Sequence, residues 1–177
     1  NMDNNVKKIS SEWQSGMSRE ITFIVTKDCQ LACKYCYLVG KNNSERMSFD
    51  TAKKAIDLIL QDENICKTES VIWDFIGGEP FIEVELIDKI CDYIKKKMFE
   101  MNHHWFNSYR FSMTTNGINY DNHKVQNFIK KNHLHLSIGI TIDGTKRKHD
   151  LNRIWKNSTT DNEIGSYEDV VRNLPLW

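Results

Sequence analysis

Short apolar runs alternate along the chain with segments in which apolar residues recur every three or four positions. Four such runs predict β-strands, at about 21–26, 70–76, 108–114 and 134–142. The longer spacing predicts three helices, at about 48–60, 84–99 and 121–131. Ser48 is a suitable N-cap for the first helix. A fourth helix is predicted to begin near Ser166, with Val170, Val171 and Leu174 on its buried face. Strands that alternate with helices in this order are typical of an α/β fold with a parallel sheet.

The predicted elements indicate a single domain that is incomplete. The first residues are largely polar, so we predict residues 1–20 as an N-terminal lead and residues 21–177 as the core domain. Residues 144–165 lack a clear period and predict an excursion beyond the sheet. Four βα units leave strand four without a neighbour. An open strand edge favours either an oligomer or a C-terminal remainder beyond this chain.

Composition narrows the classes of protein that fit. Hydrophobic residues make up 40% and charged residues 27% of the 177 positions, as in globular rather than disordered chains. The 24 basic and 24 acidic side chains cancel, so the charge offers no broad surface for nucleic acid. No apolar run approaches the roughly 18 residues of a membrane span, and no signal peptide opens the chain. We therefore expect a cytoplasmic protein that binds neither nucleic acid nor membrane.

Three cysteines follow the first predicted strand. Cys29, Cys33 and Cys36 have the spacing C-x3-C-x2-C, which suits three irons of a 4Fe–4S cluster and leaves the fourth iron open for a small ligand. A structural zinc site requires four ligands, and the nearest histidine, His103, is far along the chain. A set of disulfides would leave one of the three cysteines over. The spacing therefore favours a cluster in a reducing compartment over these alternatives.

Three further motifs lie at the ends of the later predicted strands. They are Gly77–Pro80 (GGEP), Thr114–Gly117 (TTNG) and Ile140–Gly144 (ITIDG), the last followed by His149–Arg153 (HDLNR). With the cysteine spacing and the aromatic Tyr35 before the third cysteine, these motifs resemble the radical S-adenosylmethionine (SAM) superfamily over roughly residues 20–153. The resemblance implies that the βα units form part of a radical SAM partial TIM barrel, with about four of its six units present.

The resemblance also implies roles for individual residues. The three cysteines would ligate the cluster, and SAM would be the second cofactor. The residues implied to bind SAM are Tyr35, Gly77, Gly78, Glu79, Thr141 and Arg153. The two glycines would let the backbone approach the methionine end, and Glu79 would accept from its ammonium group. Thr141, on strand four, would reach the ribose, Arg153 would hold the carboxylate through its planar fork, and Tyr35 would help to place the adenine.

Other residues are predicted to have structural roles. Asn116 and Asp143 each precede a glycine and are predicted to form turns. Cys66 and Cys91 are predicted to be packing residues without chemistry. Surface or strand-flank positions are predicted for the histidines at 103, 104, 123, 133 and 135.

The implied reaction is reductive cleavage of SAM by the cluster, which gives a radical that abstracts hydrogen from a peptide. The motifs resemble those of maturases with a cysteine-rich (SPASM-type) C-terminal domain, and residues 165–173 resemble enzymes that install thioether or carbon–carbon crosslinks in ribosomally made peptides. A sulfatase maturase, which forms formylglycine, is the alternative. Ile76, where that group often has glutamine, favours crosslinking. The alternative of another class is a non-catalytic cluster- or SAM-binding module, or half of a split complex.

The implied partners are a peptide substrate, which is cysteine-rich for some of the enzymes that the motifs resemble, and an electron donor such as flavodoxin or ferredoxin. Later strands of the family's barrel would supply further SAM contacts and the substrate site. We therefore expect the isolated chain to be poorly active or inactive.

Overall fold

The computed structural model describes residues 17–38, 40, 43–159 and 161–177. The described strands are β1 (Ser18–Thr26), β2 (Ser70–Gly77), β3 (Tyr109–Thr115) and β4 (Leu136–Ile140). The described α-helices are α1 (Phe49–Gln61), α2 (Val84–Glu100), α3 (His123–Asn132), α4 (Lys146–Asn152) and α5 (Tyr167–Val171). Short 3-10 turns lie at Ile65–Lys67, Pro80–Glu83, His104–Asn107, His133–His135 and Leu174–Leu176. None of the described helices has both the length and the apolar character needed to cross a bilayer.

The strands form one parallel sheet in the order β1-β2-β3-β4. A helix connects each strand to the next, as parallel neighbours require. Because all the strands run in the same direction, their carboxyl ends lie at one edge of the sheet, and so do the loops that carry the sequence motifs. The predicted α/β fold with parallel βα units is therefore confirmed.

Polar caps mark where two of the connecting helices begin. The side chain of Ser48 accepts a hydrogen bond of 3.1 Å from the main-chain N–H of Thr51, at the start of α1. Asn122 accepts one of 2.9 Å from the N–H of Lys124, at the start of α3. Each cap satisfies an N–H that the first turn of a helix cannot pair internally. The predicted N-cap at Ser48 is therefore confirmed.

The main core lies between the helices and one face of the sheet. Large side chains from the two central strands fill it, among them Trp73, Phe75 and Phe111, which are fully buried. Helices α1, α2 and α3 each turn an apolar face toward these rings, because their apolar residues recur at helical spacing. Cys91 is fully buried in this core and Cys66 lies at its margin, in agreement with their predicted packing roles.

The opposite face of the sheet is more polar. One row of residues in register runs across all four strands of this face: Thr22, Asp74, Ser112 and Ser137. Thr22 and Ser137 are exposed, and the central pair is partly buried. Burial raises the pKa of the Asp74 carboxyl above its ordinary value, although a hydrogen bond with Ser112 opposes the shift. Alternation of side chains along each strand separates this polar face from the apolar core.

Several element boundaries differ from the sequence-based predictions. Strand β4 ends at Ile140, so Thr141 lies just beyond the strand rather than on it. Strand β1 begins at Ser18, inside the predicted polar lead, because its first residues pair with the start of β2. The predicted excursion at 144–165 contains helix α4. Leu174, expected on a buried helix face, is 49% exposed because α5 ends before it. Residues 1–16 lie outside the described residues, and the predicted division into lead and core stays a prediction.

Candidate iron–sulfur and SAM site

The cysteine loop, which we define as residues 27–38, leaves the carboxyl end of β1. Cys29 is 5% exposed and Leu31 is fully buried, whereas Cys33 and Cys36 are partly exposed. The main-chain N–H of Leu31 donates to Sγ of Cys29 over 3.4 Å. The N–H of Cys36 donates to the carbonyl oxygen of Cys33 over 3.2 Å, which closes a turn between those two cysteines. One cysteine is thus anchored in the protein, and two lie nearer the surface.

Main-chain hydrogen bonds fix the cysteine loop to residues 152–156. Ala32 N–H donates to the carbonyl of Ile154 over 2.8 Å, and Lys34 N–H donates to that of Asn152 over 2.9 Å. In the other direction, the N–H of Lys156 donates to the carbonyl of Gln30 over 2.9 Å. These bonds bring Arg153, which follows helix α4, alongside the cysteines although it is distant from them in sequence.

The GGEP motif packs directly on the start of the cysteine loop. The N–H of Gly78 donates to the carbonyl of Thr26 over 3.0 Å, and the N–H of Glu79 donates to that of Asp28 over 2.8 Å. A Cβ at Gly77 would overlap the carbonyl oxygen of Thr26, and one at Gly78 would overlap that of Asp28. The absence of a side chain at both positions therefore allows two backbone segments to meet. Their predicted contact with SAM stays a prediction.

Glu79 is fully buried and its carboxylate is bonded to the protein. Its Oε1 accepts from the N–H of Phe81 over 3.0 Å and from the hydroxyl of Thr115 over 2.6 Å. Its Oε2 accepts from the N–H of Asn116 over 2.8 Å. Burial raises the pKa of this carboxyl above its ordinary value, and the three hydrogen bonds oppose the shift. Glu79 thus joins the GGEP and TTNG motifs, and its predicted bond to the SAM ammonium is a further role that stays a prediction.

Asn116 connects the TTNG motif to the first cysteine. Its Nδ2 lies 3.8 Å from Sγ of Cys29 and donates to Oε1 of Gln30 over 3.1 Å. Its Oδ1 accepts from the N–H of Ile118 over 3.0 Å, which is the Asx-type turn that the sequence predicts. The residue therefore forms the predicted turn and also aims an amide donor at the sulfur of Cys29.

Tyr35, on the cysteine loop, pairs with the buried Arg153. Nη1 of Arg153 donates to Oη of Tyr35 over 2.7 Å, and the Tyr35 hydroxyl donates to Oδ2 of Asp143 over 2.6 Å. The ring of Tyr35 is otherwise largely exposed. Two residues that the resemblance assigns to SAM binding are thus in direct contact. Asp143, the predicted turn residue, is the third member of this hydrogen-bonded group.

Arg153 is only 7% exposed, which is unusual for a cation. Burial lowers the pKa of its guanidinium, but the hydrogen bond to Tyr35 and the nearby charge of Cys33 outweigh that effect and raise it above its usual value. Its Nε is one of two buried side-chain polar atoms without a partner in the described residues, the other being Nε1 of Trp73 in the main core. An unpaired buried N–H of a cation is costly, so this position suits a ligand that accepts hydrogen bonds.

Thr141 completes the set of predicted SAM residues. It is partly buried, and its main-chain N–H donates to the carbonyl of Thr115 over 3.1 Å. This bond continues the pairing of β3 with β4 by one residue beyond the strand. All the predicted site residues therefore lie at the same edge of the sheet, Gly77 as the last residue of β2 and the others beyond the ends of the strands.

The donor set fits a 4Fe–4S cluster. Three thiols lie on one short loop, N–H groups of Leu31 and Asn116 point to the sulfur of Cys29, and a buried guanidinium stands near Cys33. Hydrogen bonds and positive charge near thiolates stabilise their charged, iron-binding form. In the described part of the chain, no three His, Cys, Asp or Glu side chains converge on the position of a single metal ion. Each thiolate of a 4Fe–4S cube binds a different iron, so the three sulfur atoms lie farther apart than the ligands of a single ion.

Sequence reasoning missed two residues of this edge altogether. His149 and Ser166 are fully buried and bond to each other over 3.0 Å. In the sequence they stand only as part of a family motif and as the start of a predicted helix. A histidine four residues before an arginine was a usable signal, because residues four apart lie on the same side of a helical segment and α4 ends directly before Arg153.

The chain matches a family model described as a 4Fe–4S single cluster domain over residues 15–163. Since this match spans most of the chain, the protein belongs to the 4Fe–4S single cluster domain family.

Two relatives match nearly the whole chain. An uncharacterized protein of Methanocaldococcus jannaschii is 37% identical over 155 residues, which are 86% of this chain and 49% of that protein. A cysteine-type anaerobic sulfatase-maturating enzyme of Clostridium novyi is 27% identical over 154 residues, which are 85% of this chain and 38% of that enzyme. The chain therefore spans about half, or less, of the length of these relatives.

Solved structures share the fold. Native anSMEcpe with bound AdoMet and Cp18Cys peptide has a TM-score of 0.64 and 23% identity, over 90% of this chain and 39% of that one. Native anSMEcpe with bound AdoMet has a TM-score of 0.64 and 21% identity, over 90% and 41% of the respective chains. The predicted resemblance to radical SAM maturases is confirmed, and the predicted 4Fe–4S cluster and SAM agree with the matched family and these neighbours.

Proposed function

We propose that the chain is the cluster- and SAM-binding part of a radical SAM enzyme that abstracts hydrogen from a peptide. The observation that carries the proposal is the bonding of the GGEP motif, the TTNG motif and the segment that carries Arg153 to one cysteine loop. Glu79 links GGEP to TTNG, Asn116 links TTNG to Cys29, and the segment carrying Arg153 is hydrogen bonded to the cysteine loop. A structural role alone would not explain why three thiols and an unpaired buried guanidinium N–H meet there.

In this proposal each residue has a defined task. Cys29, Cys33 and Cys36 hold the cluster, and the buried guanidinium of Arg153 binds the carboxylate of SAM through its unpaired Nε–H. Further SAM contacts come from residues at the strand ends, namely Tyr35, Gly77, Gly78, Glu79 and Thr141. When bound, the reduced cluster and SAM together supply the electron transfer and the hydrogen-abstracting radical.

The peptide product separates two candidates of the same class. We favour thioether or carbon–carbon crosslinking of a ribosomally made peptide, on the motif resemblance. Formylglycine formation is supported by the likeness to the sulfatase-maturating enzyme of Clostridium novyi and by the peptide in the anSMEcpe structure. Both reactions begin with hydrogen abstraction from a peptide, so the site described here serves either one.

Cluster binding is tested by anaerobic reconstitution of the chain with iron and sulfide. Alanine substitution of Cys29, Cys33 or Cys36 should each abolish the iron content and the visible absorption of a thiolate-ligated cluster. Cys66→Ala is the matched control, because Cys66 is buried like Cys29 but lies at the margin of the main core and not on the cysteine loop. Full iron in all three ligand variants would refute the assignment.

Activity is tested on the full-length protein with a reductant and two kinds of peptide: a cysteine-bearing peptide, if one is encoded beside the gene, and a cysteine-type sulfatase peptide. Release of 5′-deoxyadenosine shows SAM cleavage, and mass spectrometry of the peptide identifies the product. A crosslinked peptide loses hydrogen and keeps all its sulfur, whereas formylglycine formed from cysteine replaces sulfur by oxygen. Tight SAM binding without any cleavage, in the full-length protein, would favour the non-catalytic module instead.

A further inference from the structure

Five residues at this edge form a closed ring of hydrogen bonds. Arg153 Nη1 donates to Tyr35 Oη over 2.7 Å, and the Tyr35 hydroxyl donates to Asp143 Oδ2 over 2.6 Å. The main-chain N–H of Asp143 donates to Nδ1 of His149 over 3.3 Å, and Nε2 of His149 lies 3.0 Å from Oγ of Ser166. The ring closes where the Ser166 hydroxyl donates to the carbonyl of Arg153 over 2.8 Å.

The directions of these bonds are mutually consistent for one form of the histidine. The only hydroxyl hydrogen of Ser166 goes to the carbonyl of Arg153, so its oxygen accepts from Nε2 of His149. Nδ1 then carries no hydrogen and accepts from the N–H of Asp143. Neutral His149 with its proton on Nε2 therefore satisfies every hydrogen bond of the ring. A second proton, on Nδ1, would face the main-chain N–H of Asp143 and break that bond.

Burial shows that the two new members act from behind the site. His149 and Ser166 are both fully buried, and the ring of Tyr167 packs edge-on against the imidazole at 5.6 Å between centroids. Neither side chain has accessible surface, and the hydrogen bonds of both go to members of the ring. Each instead bonds to a residue of the front: Ser166 to the backbone of Arg153, and His149 to the backbone of Asp143, whose carboxylate holds Tyr35.

We propose that His149 and Ser166 are positioning residues for SAM, which hold Arg153 and Tyr35 in the geometry that receives its carboxylate end. This inference rests on the proposed function. The supporting observation is that Arg153 uses Nη1 and its carbonyl for the ring and leaves Nε buried and unpaired. An arginine that is held at both its backbone carbonyl and its guanidinium group presents its remaining donors in one orientation. Less side-chain conformational entropy is then lost when an anion binds.

The test measures SAM affinity and iron content of the anaerobically reconstituted chain. Ser166→Ala removes one hydroxyl, and His149→Phe keeps the ring volume but removes both hydrogen bonds. We expect each variant to bind SAM about tenfold more weakly, the scale of one or two lost positioning bonds, with iron unchanged. His149→Gln and Ser166→Thr, which keep donors and acceptors, should recover part of the affinity.

A matched control comes from another buried polar residue. Asn132 is 5% exposed and hydrogen bonds to Phe128 and Lys95, at the opposite edge of the sheet from the cysteines. Asn132→Ala should lower stability without changing SAM affinity. If it weakens SAM binding as much as Ser166→Ala does, general loosening explains the effect and the proposal is overturned.

A double-mutant cycle separates positioning from a merely structural role. If Ser166 acts through Arg153, Ser166→Ala should weaken binding in the parent and have no further effect in an Arg153→Ala background. Additive effects, unchanged affinity in Ser166→Ala and His149→Phe, or equal loss of iron in both would each overturn the inference. Should His149→Phe fail to fold, Ser166→Ala and the cycle carry the test. Failure of the full-length parent protein, with full iron, to bind SAM would refute the proposed function itself, so the two failures are distinguishable.

Discussion

The hydroxyl of Thr115 donates a hydrogen bond of 2.6 Å to Oε1 of Glu79, deep between two sequence motifs. Both residues are buried, Thr115 to within 2% exposure and Glu79 completely. The same hydroxyl oxygen accepts from the N–H of Gly117 over 3.1 Å. One oxygen thus orders the GGEP turn and the TTNG turn together, and the cysteine loop packs on both.

Thr115→Val should therefore destabilise the fold. It keeps the side-chain shape but leaves the Gly117 N–H and one carboxylate oxygen of Glu79 less well bonded, which costs about 1–3 kcal/mol in free energy of unfolding. Urea denaturation measures this loss. Thr22→Val is the control, because Thr22 lies exposed on the polar face of the sheet and its substitution should change stability by less than about 0.5 kcal/mol. Equal effects at the two sites would contradict the role of Thr115.

Gly78→Ala should disturb the cluster site as well as stability. Its Cβ would overlap the carbonyl oxygen of Asp28, and the cysteine loop must move to admit it. We expect a loss of about 1–3 kcal/mol in stability and less iron bound on reconstitution. In the control Gly139→Ala the nearest side-chain atom, Oγ1 of Thr114, lies 3.5 Å from the new Cβ, which is ordinary contact. Full iron and parental stability in Gly78→Ala would show that the two loops are not held together by this packing.

Asn116→Asp should lower the reduction potential of the reconstituted cluster. The amide N–H near Sγ of Cys29 stabilises added electron density on the cluster, and a carboxylate at the same place opposes it. A spectroscopic redox titration compares this variant with the control Asn119→Asp. Asn119 is partly buried and lies three residues further along, in the turn that follows. A lower potential only in Asn116→Asp is the expected result, and equal potentials in both would count against the contact with Cys29.

Stability should depend on pH through His149. Burial, and then the charge of Arg153, hold the pKa of its imidazole below the ordinary value of 6.5; Lys146 acts in the same direction, and Asp143 and Asp150 oppose it. At a pH between the lowered folded pKa and about 6.5, the imidazole is therefore protonated in the unfolded chain and neutral in the folded chain. The stabilising contribution is complete above about pH 6.5 and is lost as the pH falls toward the lower, folded pKa.

Urea midpoints of the parent chain should thus fall between about pH 7.5 and about pH 5.5 more steeply than those of His149→Gln. The comparison isolates His149, because every other titrating group is common to both proteins. Among them is the buried Glu79, whose raised pKa acts in the opposite sense and favours the folded state as the pH falls. Identical pH profiles of the two proteins would show that His149 does not titrate differently on folding.

The fold was predictable to a large extent because its elements carry local signals. Apolar runs and helical spacing located all four strands and helices α1, α2 and α3, and Ser48 marked where α1 begins. Local signals were weak at the fourth unit. Helix α4 is short and strongly basic, so its apolar period is hidden, and β4 ended earlier than its apolar pattern. The end of β4 depends on where β3 stops offering partners, which no local pattern records.

By itself, the sequence determined the cysteine spacing, the three further motifs and the parallel arrangement that collects strand ends at one edge, since these follow from short-range pattern and chain direction. Only the tertiary structure decided which atoms meet there. It turned Glu79 inward onto Thr115 and Asn116, set the GGEP glycines against the backbone of the cysteine loop, and enclosed His149 and Ser166 behind Arg153. Such contacts join residues far apart in sequence, and they arise because buried polar groups must find partners when the loops pack together.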